Sequence, residues 1–499
     1  MTSNLLEPNA THQLRTRPDP RLDAIAEKVA KGQRLTMADG DLLYTTPDLY
    51  TVIALADAVR RRLHGTNAYY NINRHLNYSN VCALSCKFCE FFRKKGDPGE
   101  YTRDLDYIRG EARKAVEAGA TEIHSVGGLN PYLPFTYYTD MIAALRDEAR
   151  SLGSDLHVKA FTAVEIVHLA KIAKVYKGAN APGDEGRAAR RDGIRHVLTE
   201  LKNAGLGSLP GGGAEVFDDR VHDEAYKGKI RSDVWLDVHT IAHELGLNTN
   251  ATILYGHIEE RHDRLVHMDM LRKAQDVALA RLGYQSDVAE FRSLAVAQAA
   301  AQTPDLWPSD RLGAVDPDAL TTSEGGHLGY RENAPSAPVI TLTRPGTPLP
   351  EHVVFNSSPT PSTQGPVPSV PASSGYYQTI IPLPFFPDGS ELEHLYGPSG
   401  LENLRTIAVA RLMLDNFPHV KAFWIMQTLP MAQLMLQSGA DDIDGTIVWY
   451  DITKVGGSST HQEVNVWTLQ KAIREAGFNP IERDTLYRPV LRNGTRWSV

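Results

Sequence analysis

Cysteine is scarce in this chain. Three occur in 499 residues, as Cys82, Cys86 and Cys89, and an odd number excludes a complete disulfide framework. A chain of this length buries a core large enough to need no such staple. Long apolar runs are missing as well: no stretch of about 18 or more apolar residues occurs, which excludes a helical membrane span. The N-terminal segment MTSNLLEPNATHQLRTRPDPRLD has no apolar h-region, so no signal peptide is expected. There is no excess of positive charge. The formal net charge of -8 argues against a nucleic-acid or membrane-surface binder. With 42% hydrophobic and 22% charged residues, the composition is that of an ordinary globular protein. The expected compartment is the reducing cytoplasm, where close thiols stay available as ligands. The length permits two or three domains, or one α/β barrel with insertions.

What is present is an alternation of strand and helix patterns. Residues 1–20 are polar and contain proline, and read as a disordered N-terminus. Leu22, Ile25 and Val29, and later Val52, Leu55, Ala56 and Val59, repeat at helical spacing, so helix is expected between Leu22 and His64. YYNINRHLN (69–77) reads as a strand that runs into the cysteines. Helices are expected over 103–120 and 137–151, and strands over TEIHSVGG (121–128) and LHVKAFTA (156–163). GLNTNATILY (246–255), YYQTIIPLP (376–384), KAFWIMQ (421–427) and GTIVWY (445–450) read as further strands. This alternation predicts βαβ units on a parallel sheet. Roughly six to eight units suffice for a full or partial (βα) barrel.

Two segments break the rhythm. Residues 177–194 are polar and glycine-rich and read as a loop insertion. Residues 301–375 hold thirteen of the chain's 30 prolines, with many Ser and Thr, and read as a disordered insertion. The barrel is then expected in two parts: 21–300, with the N-terminal helices, and 376–499, with the C-terminal region.

All three cysteines fall in CALSCKFC (82–89), with the pattern C-x3-C-x2-C. Three buried apolar cysteines would be a bland explanation, but their clustering in one loop disfavours it. A zinc site would need a fourth ligand, such as His75. An iron–sulfur cluster is usually held by four thiolates, so here one iron would lack a cysteine and could bind a small molecule instead. Other residues could serve a ligand at the same barrel end. Gly127 and Gly128 end a strand, where glycine allows close approach. LPGGGAE (209–215) is a possible backbone nest for an anion, followed by Glu215. Lys159, Thr162 and Glu165 sit at a strand end, where a ribose or carboxylate could bind, or where they could be ordinary ion-pair partners.

The cysteine spacing resembles that of the radical S-adenosylmethionine (SAM) superfamily. More closely, HLN (75–77), CALSCKFC (82–89), HSVGGLNPYLPFTYY (124–138), HVKAFTAVEI (157–166), LPGGGAEVFDD (209–219) and TNATILYGHIEER (249–261) resemble the aminofutalosine (aminodeoxyfutalosine) synthases of the futalosine route to menaquinone. IPLPFFPDGSEL (381–392) and GADDIDGT (439–446) extend the resemblance over most of 20–490, apart from the two interrupting segments. The sister family, cyclic dehypoxanthinyl futalosine synthase, shares the cysteine loop and LPGGGAE and is the alternative.

The resemblance implies that Cys82, Cys86 and Cys89 hold a [4Fe-4S] cluster whose fourth iron is chelated by SAM. It places Phe88 near the adenine and the Gly127–Gly128 pair near the methionine amino group, with Lys159, Thr162, Glu165 and Glu215 as further cofactor-binding candidates. It implies addition of the 5′-deoxyadenosyl radical to 3-[(1-carboxyvinyl)oxy]benzoate, giving 6-amino-6-deoxyfutalosine, methionine and bicarbonate. An electron donor such as flavodoxin or ferredoxin would be the protein partner. The two substrate carboxylates call for cationic partners, and Arg261, His262 and Arg264 are candidates, with His257 also suited to proton transfer. His75 and Asn77 share one face of their strand and are expected to point into the barrel. An electron carrier or a zinc-stabilised binding module would fit the chain's length and βα pattern less well. Deleting residues 301–375 is expected to leave cluster binding intact; loss of the brown chromophore in the purified deletion variant would refute this.

Overall fold

The computed structural model describes residues 18–283, 374–446 and 463–499. Most of the expected disordered N-terminus, nearly all of the expected insertion and the latter part of the strand expected over 445–450 lie outside the described residues.

Three helices open the described residues: α1 (Leu22–Ala30), α2 (Met37–Thr45) and α3 (Leu49–His64). The helical pattern over 22–64 is interrupted by caps. Thr36 and Asp39 form a reciprocal capping box before α2, and the Asp48 side chain accepts from Thr51 N–H at the start of α3. Next come β1 (Asn67–Asn71) and β2 (Asn73–Leu76), two halves of one extended run. They are followed by α4 (Leu105–Glu117), β3 (Glu122–Ser125), α5 (Phe135–Ser151), β4 (His157–Ala160), α6 (Ala163–Ile172), α7 (Gly183–Ala204) and β5 (Ser208–Leu209). Then α8 (Asp219–Ala225), α9 (Ser232–Glu244), β6 (Asn248–Tyr255) and α10 (Arg261–Arg281) complete the first described region. The second holds β7 (Tyr377–Pro384), α11 (Gly400–Met413), β8 (His419–Val420), α12 (Trp424–Gln427), α13 (Leu429–Leu436) and β9 (Asp442–Gly445). The last holds α14 (Val466–Glu475), β10 (Asn479–Glu482) and the antiparallel pair β11 (Leu491–Asn493) and β12 (Arg496–Ser498).

Strands β2 to β8 form a seven-stranded parallel sheet in chain order. The pairing continues from β8 to β9 through a Lys421–Asp442 bridge and the Ala422 N–H to the Asp442 carbonyl at 2.8 Å. β9 in turn pairs with β1, whose continuation is β2. The circuit thus returns to its start, and the architecture is a parallel α/β barrel. Alternation of side chains sorts each strand: Ile123 and Val158 join the apolar core, whereas Glu122, His124 and Lys159 face an interior cavity.

Two expectations about local structure are corrected. The segment 177–194, expected as a loop, contains the start of helix α7. Its glycines are packing positions: a Cβ on Gly186 or Gly193 would lie 1.7 Å or 2.5 Å from the carbonyl oxygens of Ala181 and Val175. Its arginines fasten it to α9, with Arg190 and Arg191 on Asp237 at 2.7 Å and 2.8 Å. KAFWIMQ, expected as a strand, pairs only briefly beyond β8 and then turns into α12, with the Trp424 indole N–H donating to the Gly445 carbonyl at 2.8 Å. A short apolar run does not distinguish buried strand from buried helix.

Gly193→Ala separates two opposing effects. Helix propensity favours alanine by about 1 kcal/mol. The clash with the Val175 backbone is expected to outweigh it, giving a net loss of about 1–3 kcal/mol in urea unfolding. An unchanged or raised midpoint would mean that residues 175–181 yield without strain.

Candidate functional site

The cavity lies inside the barrel and opens at the C-terminal ends of the strands, the end where barrels of this class bind ligands. It encloses about 290 Å³, the scale of a small-molecule site. All three cysteines line it, on the loop that follows β2. That loop is tied down by its own backbone. Cys82 N–H donates to the Arg93 carbonyl at 3.0 Å, Ala83 N–H to Leu129 at 2.9 Å and Lys87 N–H to Ala225 at 3.0 Å. The Lys94 ammonium spans the Cys82 and Leu84 carbonyls at 3.0 Å and 2.9 Å.

The glycine pair packs directly beneath this loop. A Cβ on Gly127 would stand 2.6 Å from the Tyr78 ring, and one on Gly128 would stand 2.3 Å from the Val81 carbonyl oxygen. Both glycines also line the cavity. Glu165 joins three elements here. One oxygen accepts from Tyr78 OH at 2.7 Å and Gly127 N–H at 3.0 Å. The other accepts from Thr162 N–H at 2.7 Å and its hydroxyl at 2.8 Å, closing the cap of α6. Burial raises the Glu165 carboxyl from its ordinary value, against those hydrogen bonds. Both oxygens are therefore engaged by protein groups, and Glu165 positions the glycine turn and the loop.

Burial pushes the Cys86 thiol up to about 11 and raises Cys89 as well. As free thiols Cys86 and Cys89 would be protonated at neutral pH, so ligation by a metal centre would displace their protons. Lys229 opposes the rise at both positions. Its ammonium is ion-paired with Glu215 and lies 4.7 Å from the centre of the Phe88 ring. Lys229 was not singled out in the sequence, because it follows a short helix in a polar stretch that carries no motif. Among the described residues the three thiols are not gathered within the span of a single metal ion, and none groups with His75 in that way. Three soft donors on one loop, spread beyond a single ion, suit a multi-iron cluster better than one zinc.

The structure separates the remaining candidates. Phe88, Lys159, Thr162 and Glu215 line the cavity, as does His75. Asn77 does not: its side-chain amide donates to the Val126 carbonyl at 2.9 Å. The cations expected to meet the substrate carboxylates are corrected. After β6 the chain turns at Gly256 (φ 90°), and the Glu259 carboxylate gathers Gly256 N–H at 2.6 Å and Arg264 at 2.8 Å. The direction of α10 then carries these side chains away from the cavity. Arg261 pairs with Glu402 at 2.5 Å and donates to the Tyr44 carbonyl, and His262 meets Asp41 at 3.2 Å on the surface. His257 is enclosed outside the cavity, within 3.2 Å of the Leu254 carbonyl, and burial lowers its pKa. The cavity is instead furnished with Lys159 and Lys421, paired with Glu122 at 2.8 Å and Asp444 at 2.7 Å.

Residues 76–271 match the radical SAM superfamily, and residues 374–493 match the CofH/MqnC C-terminal region. The aminodeoxyfutalosine synthase of Thermus thermophilus is 34% identical, with 95% of this chain and 96% of that protein covered. This chain belongs to the aminodeoxyfutalosine synthase family. The enzyme of the same name from Streptomyces coelicolor is 32% identical, over 94% and 93% of the two chains. A 5-amino-6-(D-ribitylamino)uracil–L-tyrosine 4-hydroxyphenyl transferase from Methanopyrus kandleri is 29% identical, over 94% and 95%. Among solved structures, methylornithine synthase shares the fold, with a TM-score of 0.55 at 14% identity over 91% of this chain and 96% of that one. The protein is accordingly a radical SAM enzyme, with a [4Fe-4S] cluster and SAM as its cofactors. Among the described residues no helix is long and apolar enough to cross a membrane.

The role of Glu165 yields a graded test. Glu165→Gln places an amide nitrogen opposite N–H or O–H donors, while Tyr78→Phe removes one hydrogen bond, worth about 1 kcal/mol. Cluster retention, read as iron content and visible absorbance after anaerobic gel filtration, is expected to fall clearly in the first and slightly in the second. Equal retention in both would remove Glu165 as the anchor of the loop.

Proposed function

We propose that the protein makes 6-amino-6-deoxyfutalosine from SAM and 3-[(1-carboxyvinyl)oxy]benzoate. The supporting observation is the similarity to aminodeoxyfutalosine synthases along nearly the whole chain. When bound, the cofactors would supply a 5′-deoxyadenosyl radical for addition to the enol-ether double bond; aryl migration and loss of the carboxylate would then take up one water to give bicarbonate and return the one electron spent in cleaving SAM.

The chain's own residues have distinct tasks in this reading. Cys82, Cys86 and Cys89 hold the cluster from a loop whose backbone is fixed on three sides. Phe88, beside the last cysteine, offers an aromatic face to adenine, and the glycine turn at 127–128 lets the methionine end of SAM approach the backbone. Thr162 and the Pro210–Gly213 segment line the same mouth and suit the ribose and its neighbours. Lys229, held by Glu215, adds positive charge beside two of the cysteines. Leu254, Ile381, Leu383, Phe423 and Met426 supply an apolar wall that excludes water around the reacting carbon. An electron donor such as flavodoxin or ferredoxin, and a cytoplasmic location, complete the proposal.

An anaerobic assay tests it. Reconstituted protein, dithionite, SAM and 3-[(1-carboxyvinyl)oxy]benzoate are expected to give a substrate-dependent product carrying the adenosyl group, seen by mass spectrometry. Cleavage of SAM to 5′-deoxyadenosine without an adduct would reject this substrate and make the sister cyclase reaction the next one to try.

A further inference from the structure

The mouth of the cavity is assigned above to the cofactors; its floor is a separate, charged layer. His75 on β2, His124 on β3 and Lys159 on β4 are consecutive partners in the parallel ladder. In-register residues on neighbouring strands face the same way, so these three form one row across the barrel wall. The His75 and His124 rings lie 4.5 Å apart. Glu122, two residues before His124, pairs with Lys159 at 2.8 Å. From the far side of the barrel Lys421 enters after β8, paired with Asp444 of β9 at 2.7 Å. All six residues line the cavity.

Two features make this layer a recognition site rather than ordinary structural pairing. First, Lys159 and Lys421 are both buried, at 4% and 3% exposure, and both line the same cavity, each held by a single carboxylate. An ammonium has three donors, so one carboxylate partner does not exhaust it. Second, the buried Nε2 of His124 has no hydrogen-bond partner among the described residues, which is costly unless a ligand supplies one.

The cavity therefore has three zones. The cysteines stand at the mouth, the apolar wall of Ile381, Leu383, Phe423 and Met426 lies between, and the charged layer is at the base. From His124 to Gly127 is three residues of extended chain, about 10 Å. The substrate of the reaction proposed above has the same order of parts: a reactive vinyl group, an aromatic ring, and a carboxylate on the ring's far side. On that reading, we propose that Lys159 and Lys421, with His124, form the pocket for the ring carboxylate, and thereby orient the vinyl carbon toward the cysteine loop.

Charge-neutral pair replacements test this without stranding a buried acid. Lys421→Met with Asp444→Asn, and Lys159→Met with Glu122→Gln, are compared with wild type on two compounds: the full substrate and 2-phenoxyacrylate, which lacks the ring carboxylate. Cluster absorbance and substrate-independent SAM cleavage report folding and cofactor loading. For the full substrate, kcat/KM is expected to fall about tenfold to a hundredfold, the scale of a lost charged hydrogen bond, and calorimetric affinity for the unreduced enzyme is expected to fall in parallel. Turnover of 2-phenoxyacrylate is expected to stay within about twofold of wild type. Equal losses on both compounds, or none on either, overturn the assignment while leaving the reaction standing. A wild-type enzyme that forms no adduct from the full substrate overturns the reaction, and the assignment with it.

Discussion

The approach of Gly128 to the Val81 carbonyl is the contact on which the mouth of the barrel depends. With 2.3 Å between that oxygen and the place of a Cβ, only glycine fits. The contact presses the end of β3 against the segment that leads into the cysteines, and Gly128 N–H seals it by donating to the Ser79 carbonyl at 2.7 Å. Glu165 then fixes the neighbouring glycine, the Tyr78 ring and the start of α6 with a single carboxylate. A loop of this length would otherwise sample many conformations. Three thiols can present one geometry to a cluster because the strand ends beneath them are closely packed and hydrogen-bonded, so pre-organisation here comes from packing more than from the ligands themselves.

The barrel interior carries an unusual amount of charge. Burial works against the charge on Glu122, yet Lys159 and then Arg483 outweigh it and hold the carboxyl well below the usual range. Arg483 meets Asp442 at 2.7 Å. At the opposite barrel end, His64 and His419 flank Asp441, which is also ion-paired to Arg411. Burial pushes His64 down to about 3, so it stays neutral, and the guanidinium already answers the carboxylate. Apolar replacements of buried ion pairs are often as stable or more so. Stability alone therefore does not account for charges layered in this way. At the cysteine end they face a cavity; at the other end they are closed among themselves, as a structural network would be.

The parts of this organisation that are local in sequence were legible there. The cysteine spacing, the glycine pair and LPGGGAE each occupy a short stretch, and the strand alternation placed them at one end of a barrel. What was not legible depends on direction. Arg261, Arg264 and His257 follow a strand just as a ligand-binding loop would, but Gly256 and the Glu259 carboxylate turn the chain so that the two arginines meet Glu259, Glu402 and the α2 region, and His257 is enclosed beside the Leu254 carbonyl. GHIEERHDR holds the glycine and the acid that make the turn, but not Glu402, the partner far along the chain that receives Arg261 and Arg264. Lys421 was hidden for the opposite reason. It opens the apolar run KAFWIMQ, whose strand-like composition drew attention away from its one charged residue. Arg190 and Arg191 read as part of a polar loop insertion over 177–194 because Asp237 and Glu244, which they grip, lie on another helix.

A radical generated in a protein reacts with whatever hydrogen donor it meets, so the surroundings of the reacting carbon matter as much as the residues that bind cofactors. An apolar wall keeps water away but gives an aromatic substrate no preferred orientation, because dispersion contacts are non-directional. Orientation needs a polar anchor at a distance from the reaction, where its charges and N–H groups cannot interfere. In this barrel, strand register sets that distance. Moving one residue along a strand reverses the side-chain face and moving two keeps it, so His124 and Lys159 cannot approach the cysteine loop without leaving the row they share with His75. The separation between charged floor and cluster-bearing mouth is therefore a property of the ladder itself, as invariant as the sheet that carries it.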